Sequence, residues 1–156
     1  MADDKRVYLF DSTLRDGAQT QGVDFSADDK AAIALALDRI GIDYVEGGWP
    51  GANPTDDAFF GNPPTLKRAR LVAFGMTRRP GRSAENDPGL VAVLGAGARA
   101  VCLVGKTWDF QVEVALGVAL DGLPNVYASA GDTDGVDGLE EIAGAYLAPD
   151  SLKRAW

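Results

Sequence analysis

A chain of 156 residues with 46% hydrophobic and 24% charged side chains has the balance of one globular domain with a true core, which excludes a disordered or fibrous protein. Its formal charge of −8 opposes nucleic acid or an anionic membrane as the main partner, because like charges repel at long range. No apolar run approaches the roughly 20 residues of a membrane helix, and the polar start Met1 to Arg6 lacks the apolar stretch of a signal peptide, so the cytoplasm is the expected compartment.

The apolar run Val7-Tyr8-Leu9-Phe10 predicts a first strand, and Asp11, Arg15, Asp16 and Gln19 crowd the loop behind it. Ser26 then predicts an N-cap for a helix over 27–40, with Asp28 and Asp29 in the first turn, where the helix dipole favours anions. Ile33, Leu37 and Ile40 form its apolar stripe and Gly41 stops it. Residues 42–46 read as a second strand ending at Gly47-Gly48, residues 49–54 as a loop, and 55–60 as a short helix. A third strand over 70–76 runs into a polar loop over 77–86. Asp87-Pro88 opens a helix through Leu90, Val91 and Leu94, since proline suits the first helical position, and the glycines at 95–97 close it. Residues 101–105 predict a fourth strand, followed by a helix over 110–116.

Strand-then-helix units thus recur about every 30 residues, the period of parallel strands joined by crossover helices, and the fold class is α/β. From Leu120 the pattern weakens: residues 125–129 read as a fifth strand and 136–147 as a helix. The glycine-rich stretch over 91–100 imitates a dinucleotide-binding fingerprint, but such a fingerprint follows a strand and opens a helix. Here a helix precedes it and a strand follows, so it reads as a helix-to-strand turn.

The single cysteine, Cys102, excludes an internal disulfide, and its apolar neighbours predict a buried, inert thiol. The chain has no histidine, which removes Ser-His-Asp and Cys-His chemistry and leaves oxygen ligands for any metal that it holds by itself.

In a parallel sheet or barrel the C-terminal strand ends form one rim, where ligand groups gather. Asp11, Arg15, Asp16 and Gln19 follow the first strand, Glu46 ends the second, Thr77 and Arg78 follow the third, and Lys106 follows the fourth. Asp16 is a hard oxygen ligand for a divalent metal, and Arg15 presents a planar fork to a substrate carboxylate or a developing oxyanion. Glu46 can orient either one or join them in a salt bridge. On pattern alone, solvated or structural roles stay open for all of them. The same holds for Lys106 as an anion contact, and for Trp49, Phe59 and Phe60 as pocket walls rather than packing anchors.

The segments "FDSTLRDGAQTQGVDFSADDK" and "YVEGGWPGANPTDDAFF" resemble the start of the acyltransferase branch of the pyruvate carboxyltransferase barrels, the 2-isopropylmalate, homocitrate and citramalate synthases. Together with "FGMTRRPGRSAENDPGL" and "VCLVGKTWDF" they read most like the citramalate-synthase subgroup. The resemblance spans residues 6–118 and does not extend over 119–156, which it leaves as a divergent tail, with room for one further unit.

The resemblance implies about four parallel units of a (β/α)8 TIM barrel and a place in amino-acid (isoleucine) biosynthesis. It also implies a Claisen-type condensation of acetyl-CoA with a 2-oxo acid such as pyruvate, assisted by a divalent metal (Mg, Mn or Zn). By position it makes Asp16 the metal ligand, Arg15 the group that contacts the oxo acid and its alkoxide, Glu46 the acidic catalytic partner and Gln19 a substrate neighbour. Arg78, Arg79 and Arg82 sit in a loop where CoA phosphates can land, with ordinary surface arginines as the alternative reading.

Two departures qualify this. The family's metal site also takes two histidines, and a complete barrel has around 250 residues. A half barrel leaves its first and fourth strands as open edges, which predicts self-association or pairing with a complementary half and impaired or no activity alone. The alternative is a non-catalytic half-barrel module that binds a 2-oxo acid or a partner chain.

Overall fold

A computed structural model of the chain describes residues 6–79 and 82–105, the single residues 114 and 117, and the backbone of Glu140–Glu141. The β-branched and aromatic runs form β1 (Phe10–Asp11), β2 (Tyr44–Gly48), β3 (Arg70–Met76) and β4 (Ala100–Val104), with β5 (Glu140–Glu141) beyond them. They lie side by side in sequence order, and every neighbouring pair is parallel. Parallel neighbours need a crossover, and α1 (Ala27–Ile40), α2 (Pro54–Gly61) and α3 (Pro88–Gly95) supply the first three. The result is the expected partial (β/α)8 barrel.

Alternation along the strands sorts the core into two faces. Val45, Leu71, Ala73, Val101 and Leu103 pack against Ala34, Phe59, Phe60, Leu90 and Val93 of the helices. Glu46, Val72, Phe74 and Cys102 have the opposite parity and face away from that layer. Phe59 and Phe60 are therefore packing anchors. Gly47 is obligatory at the crowded side, since a Cβ there would sit 2.6 Å from Phe59 Cε1.

The helices begin and end where the cap residues dictate. Ser26 Oγ accepts the Asp29 N–H and the Asp29 carboxylate accepts the Ser26 N–H, a reciprocal capping box, while Gly41 closes α1 at φ 93°. Asp87 caps α3 by accepting the N–H groups of Gly89 and Leu90, ahead of Pro88. The glycine-rich stretch after α3 is the expected helix-to-strand turn, with Gly97 at φ 68°.

Four expectations are corrected. The ladder of β1 spans only Phe10–Asp11 because the Asp43 side chain takes the Leu9 N–H, and the preceding Val7 and Tyr8 are 80% and 56% exposed. Ile40 is 75% exposed; Ile33 and Leu37 pack partly buried against the core as expected, and the most buried residues of α1 are Lys30, Ala34 and Asp38. The Asp38 carboxylate accepts the N–H groups of Lys67, Arg68 and Ala69, so a polar residue is drawn inward to fasten the start of β3. Third, Glu140–Glu141 lies on a strand rather than in a helix, paired with Ala100 and Val101, so the edge of β4 is covered there. Finally, Cys102 is half-buried rather than fully buried. Apart from Val114 the expected helix over 110–116 lies outside the described residues, as do the strand over 125–129, Lys106 and the remainder of the helix expected over 136–147.

Candidate functional site

The rim forms around the loop that follows β1. Leu14 is fully buried and anchors that loop, while Ser12 O accepts the N–H groups of Arg15, Asp16 and Gly17 in one tight turn. This turn carries Arg15 back over the inner face of the sheet. There its guanidinium stacks on the Phe74 ring at 4.2 Å, and Phe74 is in turn edge-on to Trp49 at 5.4 Å.

Arg15 joins two carboxylates. Its Nε donates to Glu46 Oε2 at 2.8 Å and its Nη1 to Asp16 Oδ1 at 3.0 Å. The three environments differ: the Glu46 side chain is wholly buried, that of Arg15 is 22% exposed and that of Asp16 is 65% exposed. Glu46 Oε1 is buried without a hydrogen-bond partner among the described residues, and an unsatisfied buried acceptor is uncommon in a finished site. On the next strand but one, burial and the neighbouring Glu46 charge push the Cys102 thiol up to about 12, which keeps it protonated and unreactive.

Beside Arg15 opens a cleft of about 360 Å³, lined among others by Gln19, Phe25, Lys30, Trp49 and Asn53. Gln19 is exposed at its mouth, at the end of the 3-10 turn Gly17–Gln19. The rim residues from β1, β2 and β3 thus meet at one end of the sheet, but with unequal parts. Asp11 is occupied locally, accepting from the Thr13 N–H and hydroxyl. Arg78, Arg79 and Arg82 knit their own loop: Arg78 donates to Arg82 O, Arg82 to Asn86 O, and the Arg79 N–H to Asp87.

The sequence pattern did not disclose Lys30, Asp56 or Phe74. Phe74 reads as one more apolar strand residue, and its role as a shelf for Arg15 follows only from the strand register. Lys30 and Asp56 are a buried ion pair whose partners come from three separate segments, a relationship with no local signature.

A divalent metal fits these residues poorly. The Arg15 cation already lies between the two carboxylates, and among the described residues no three acidic, thiol or imidazole groups gather as a metal cluster. Asp16 alone is a weak ligand set.

A parallel sheet in sequence order with an arginine–carboxylate cluster on its C-terminal rim defines a barrel-type α/β protein. The chain belongs to the HMGL-like family, whose model matches residues 6–126. It is 46% identical over 119 residues to an (R)-citramalate synthase of Aquifex aeolicus, covering 75% of this chain and 22% of that protein. It is 48% identical over 121 residues to one of Streptomyces coelicolor, covering 76% and 23%. A shorter match, 50% over 52 residues, joins it to a 2-isopropylmalate synthase of Listeria welshimeri, covering 33% of this chain and 10% of that protein. The chain therefore spans less than a quarter of the length of the citramalate synthases it matches. The fold is that of the Bacillus subtilis HMG-CoA lyase, with a TM-score of 0.64 at 18% identity over 88% of this chain and 45% of that one.

Proposed function

We infer that the chain carries the 2-oxo-acid side of a citramalate-synthase-type acyltransferase, which condenses acetyl-CoA with a 2-oxo acid such as pyruvate, and that alone it has impaired activity or none. The observation that carries this is Arg15, held by the buried Glu46 and stacked on Phe74, with Nη2 outside both ion pairs. A fork fixed in this way can receive the substrate carboxylate or the ketone oxygen, and it stabilises the negative charge that the oxygen acquires as the carbon–carbon bond forms. Glu46 orients Arg15, and its unsatisfied oxygen is suited to a donor on the bound ligand or on a complementary chain. Gln19 lends an amide to the substrate at the cleft mouth. The base that deprotonates the acetyl methyl group is not assigned to any described residue.

In this family role Asp16 ligates the metal, yet here it is spoken for by Arg15, so the catalytic metal calls for further ligands. That observation favours the second reading, a non-catalytic module that binds the oxo acid. The exposed Val7 and Tyr8 beside the edge strand β1 support pairing with a second copy or a complementary half, and sedimentation as a monomer at micromolar concentration would count against it. Among the described residues no helix is long and apolar enough to cross a membrane. The cytoplasm is the compartment proposed together with the acyltransferase reading.

The test is to incubate the chain with acetyl-CoA, pyruvate and Mg²⁺ or Mn²⁺. Release of free CoA that disappears in Asp16→Asn supports catalysis, and pyruvate binding without release supports the module. Absence of both contradicts the two readings together.

A further inference from the structure

We propose that Lys30 is a positioning residue that sets the separation of Arg15 and Glu46, acting with Asp56 as a buried clamp between the loop that follows β1 and the C-terminal end of β2. Lys30 lies on α1 and is 3% exposed. Its ammonium has three protons and meets three acceptors: Leu14 O at 2.7 Å, Gly47 O at 3.0 Å and the Asp56 carboxylate. Leu14 immediately precedes Arg15, and Gly47 immediately follows Glu46. One cation therefore pins the backbone next to each member of the ion pair to a single point.

Asp56 extends the clamp to the aromatic shelf. Its Oδ2 accepts the Trp49 N–H at 2.8 Å and the Asn53 amide at 2.9 Å, and the Trp49 ring packs on the Phe74 ring beneath Arg15. Gly48 leaves the space that this carboxylate fills, since a Cβ there would lie 2.5 Å from Asp56 Cγ. An apolar pair of similar volume fills a core as well as a buried ion pair does, but it cannot hold two carbonyl groups at a fixed distance. What the charged pair adds is therefore geometry at the rim.

This assignment rests on the reading that Arg15 and Glu46 receive an oxo acid, but its first readout does not depend on a ligand. The Arg15 Nε–H resonance, assigned in ¹⁵N-arginine-labelled protein by its loss in Arg15→Lys, reports the bond to Glu46. In Lys30→Met, with native circular dichroism and core amide dispersion, the clamp predicts a shifted Nε–H resonance and exchange with water faster by about tenfold or more. The double variant Lys30→Met/Asp56→Asn, which removes the stranded charge, recovers stability without recovering that signal. Should Lys30→Met fail to fold, Asp56→Asn alone gives the same reading, because it weakens the clamp while keeping the acceptor for Trp49. A folded variant with the Nε–H shift and exchange of the wild type overturns the proposal. Pyruvate affinity, expected to fall about tenfold in the same variants, is the second readout. If the wild type binds no pyruvate, the functional reading fails while the Nε–H result still decides the clamp.

Discussion

Arg15 and Glu46, 31 positions apart in the chain, meet at 2.8 Å with the carboxylate wholly buried and the guanidinium at the surface of the rim. Such a pair cannot be dismantled from one side without stranding a charge. Arg15→Met is expected to destabilise the fold by about 2–4 kcal/mol, less than for a fully enclosed pair because Arg15 is partly solvated. Arg15→Met/Glu46→Leu should regain most of that loss. Denaturant midpoints of the two single variants and the double variant measure this, and additive losses would show that the pair is not coupled.

Asp38 gives the protein an acid limb. The Ala69 N–H is the main cause of its lowered pKa, and the Lys67 and Arg68 N–H groups add to it against the cost of burial. A carboxylate depressed below its ordinary 3.8 stabilises fully above that pH and loses its contribution as the pH falls through the lower, folded value. Asp38→Asn should therefore be less stable than the wild type at neutral pH, with the gap closing below about pH 4. Thermal melts from pH 7 to pH 2 follow it.

Gly48 should tolerate no side chain. It has φ 145°, and an added Cβ would lie 2.5–2.7 Å from the Asp56 carboxylate. Gly48→Ala is expected to cost about 3 kcal/mol or more from strain and overpacking together. Gly61, with nothing within 4 Å of an added Cβ and φ outside the left-handed region, is the control, and chemical denaturation compares them.

Cys102 reports on the Glu46 charge. Its thiol is pushed up to about 12 by burial first and by Glu46 second, so alkylation of the native protein should be slow at neutral pH. Glu46→Gln removes the second cause and should move the alkylation profile to lower pH. An unchanged profile in a folded variant would place Glu46 too far from the thiol to act on it.

Much of the fold is written locally. The capping box at Ser26 and Asp29, Gly41, and the Asp87-Pro88 pair mark their helix ends because each acts on backbone groups within a few positions. The β3 span 70–76 is legible from the apolar run Leu71-Val72-Ala73-Phe74 at its centre. What stays hidden depends on contacts across the chain. Lys30 and Asp38 look solvent-facing by residue type, yet they are buried on backbone groups brought in from other segments, while the apolar Ile40 lies outside. In the site, the residue types Arg15, Asp16, Glu46 and Gln19 were readable. The division of labour among them was not, since burial of Glu46 and stacking on Phe74 are properties of the assembled sheet.

Binding of pyruvate to the intact chain, followed by calorimetry or by ligand-observed NMR, tests the central claim that the rim around Arg15 receives a 2-oxo acid. Saturable binding that weakens by about tenfold or more in a folded Arg15→Lys variant is the expected result, because lysine keeps the charge but loses the fork. No saturable binding, or equal affinity in both proteins, would contradict it.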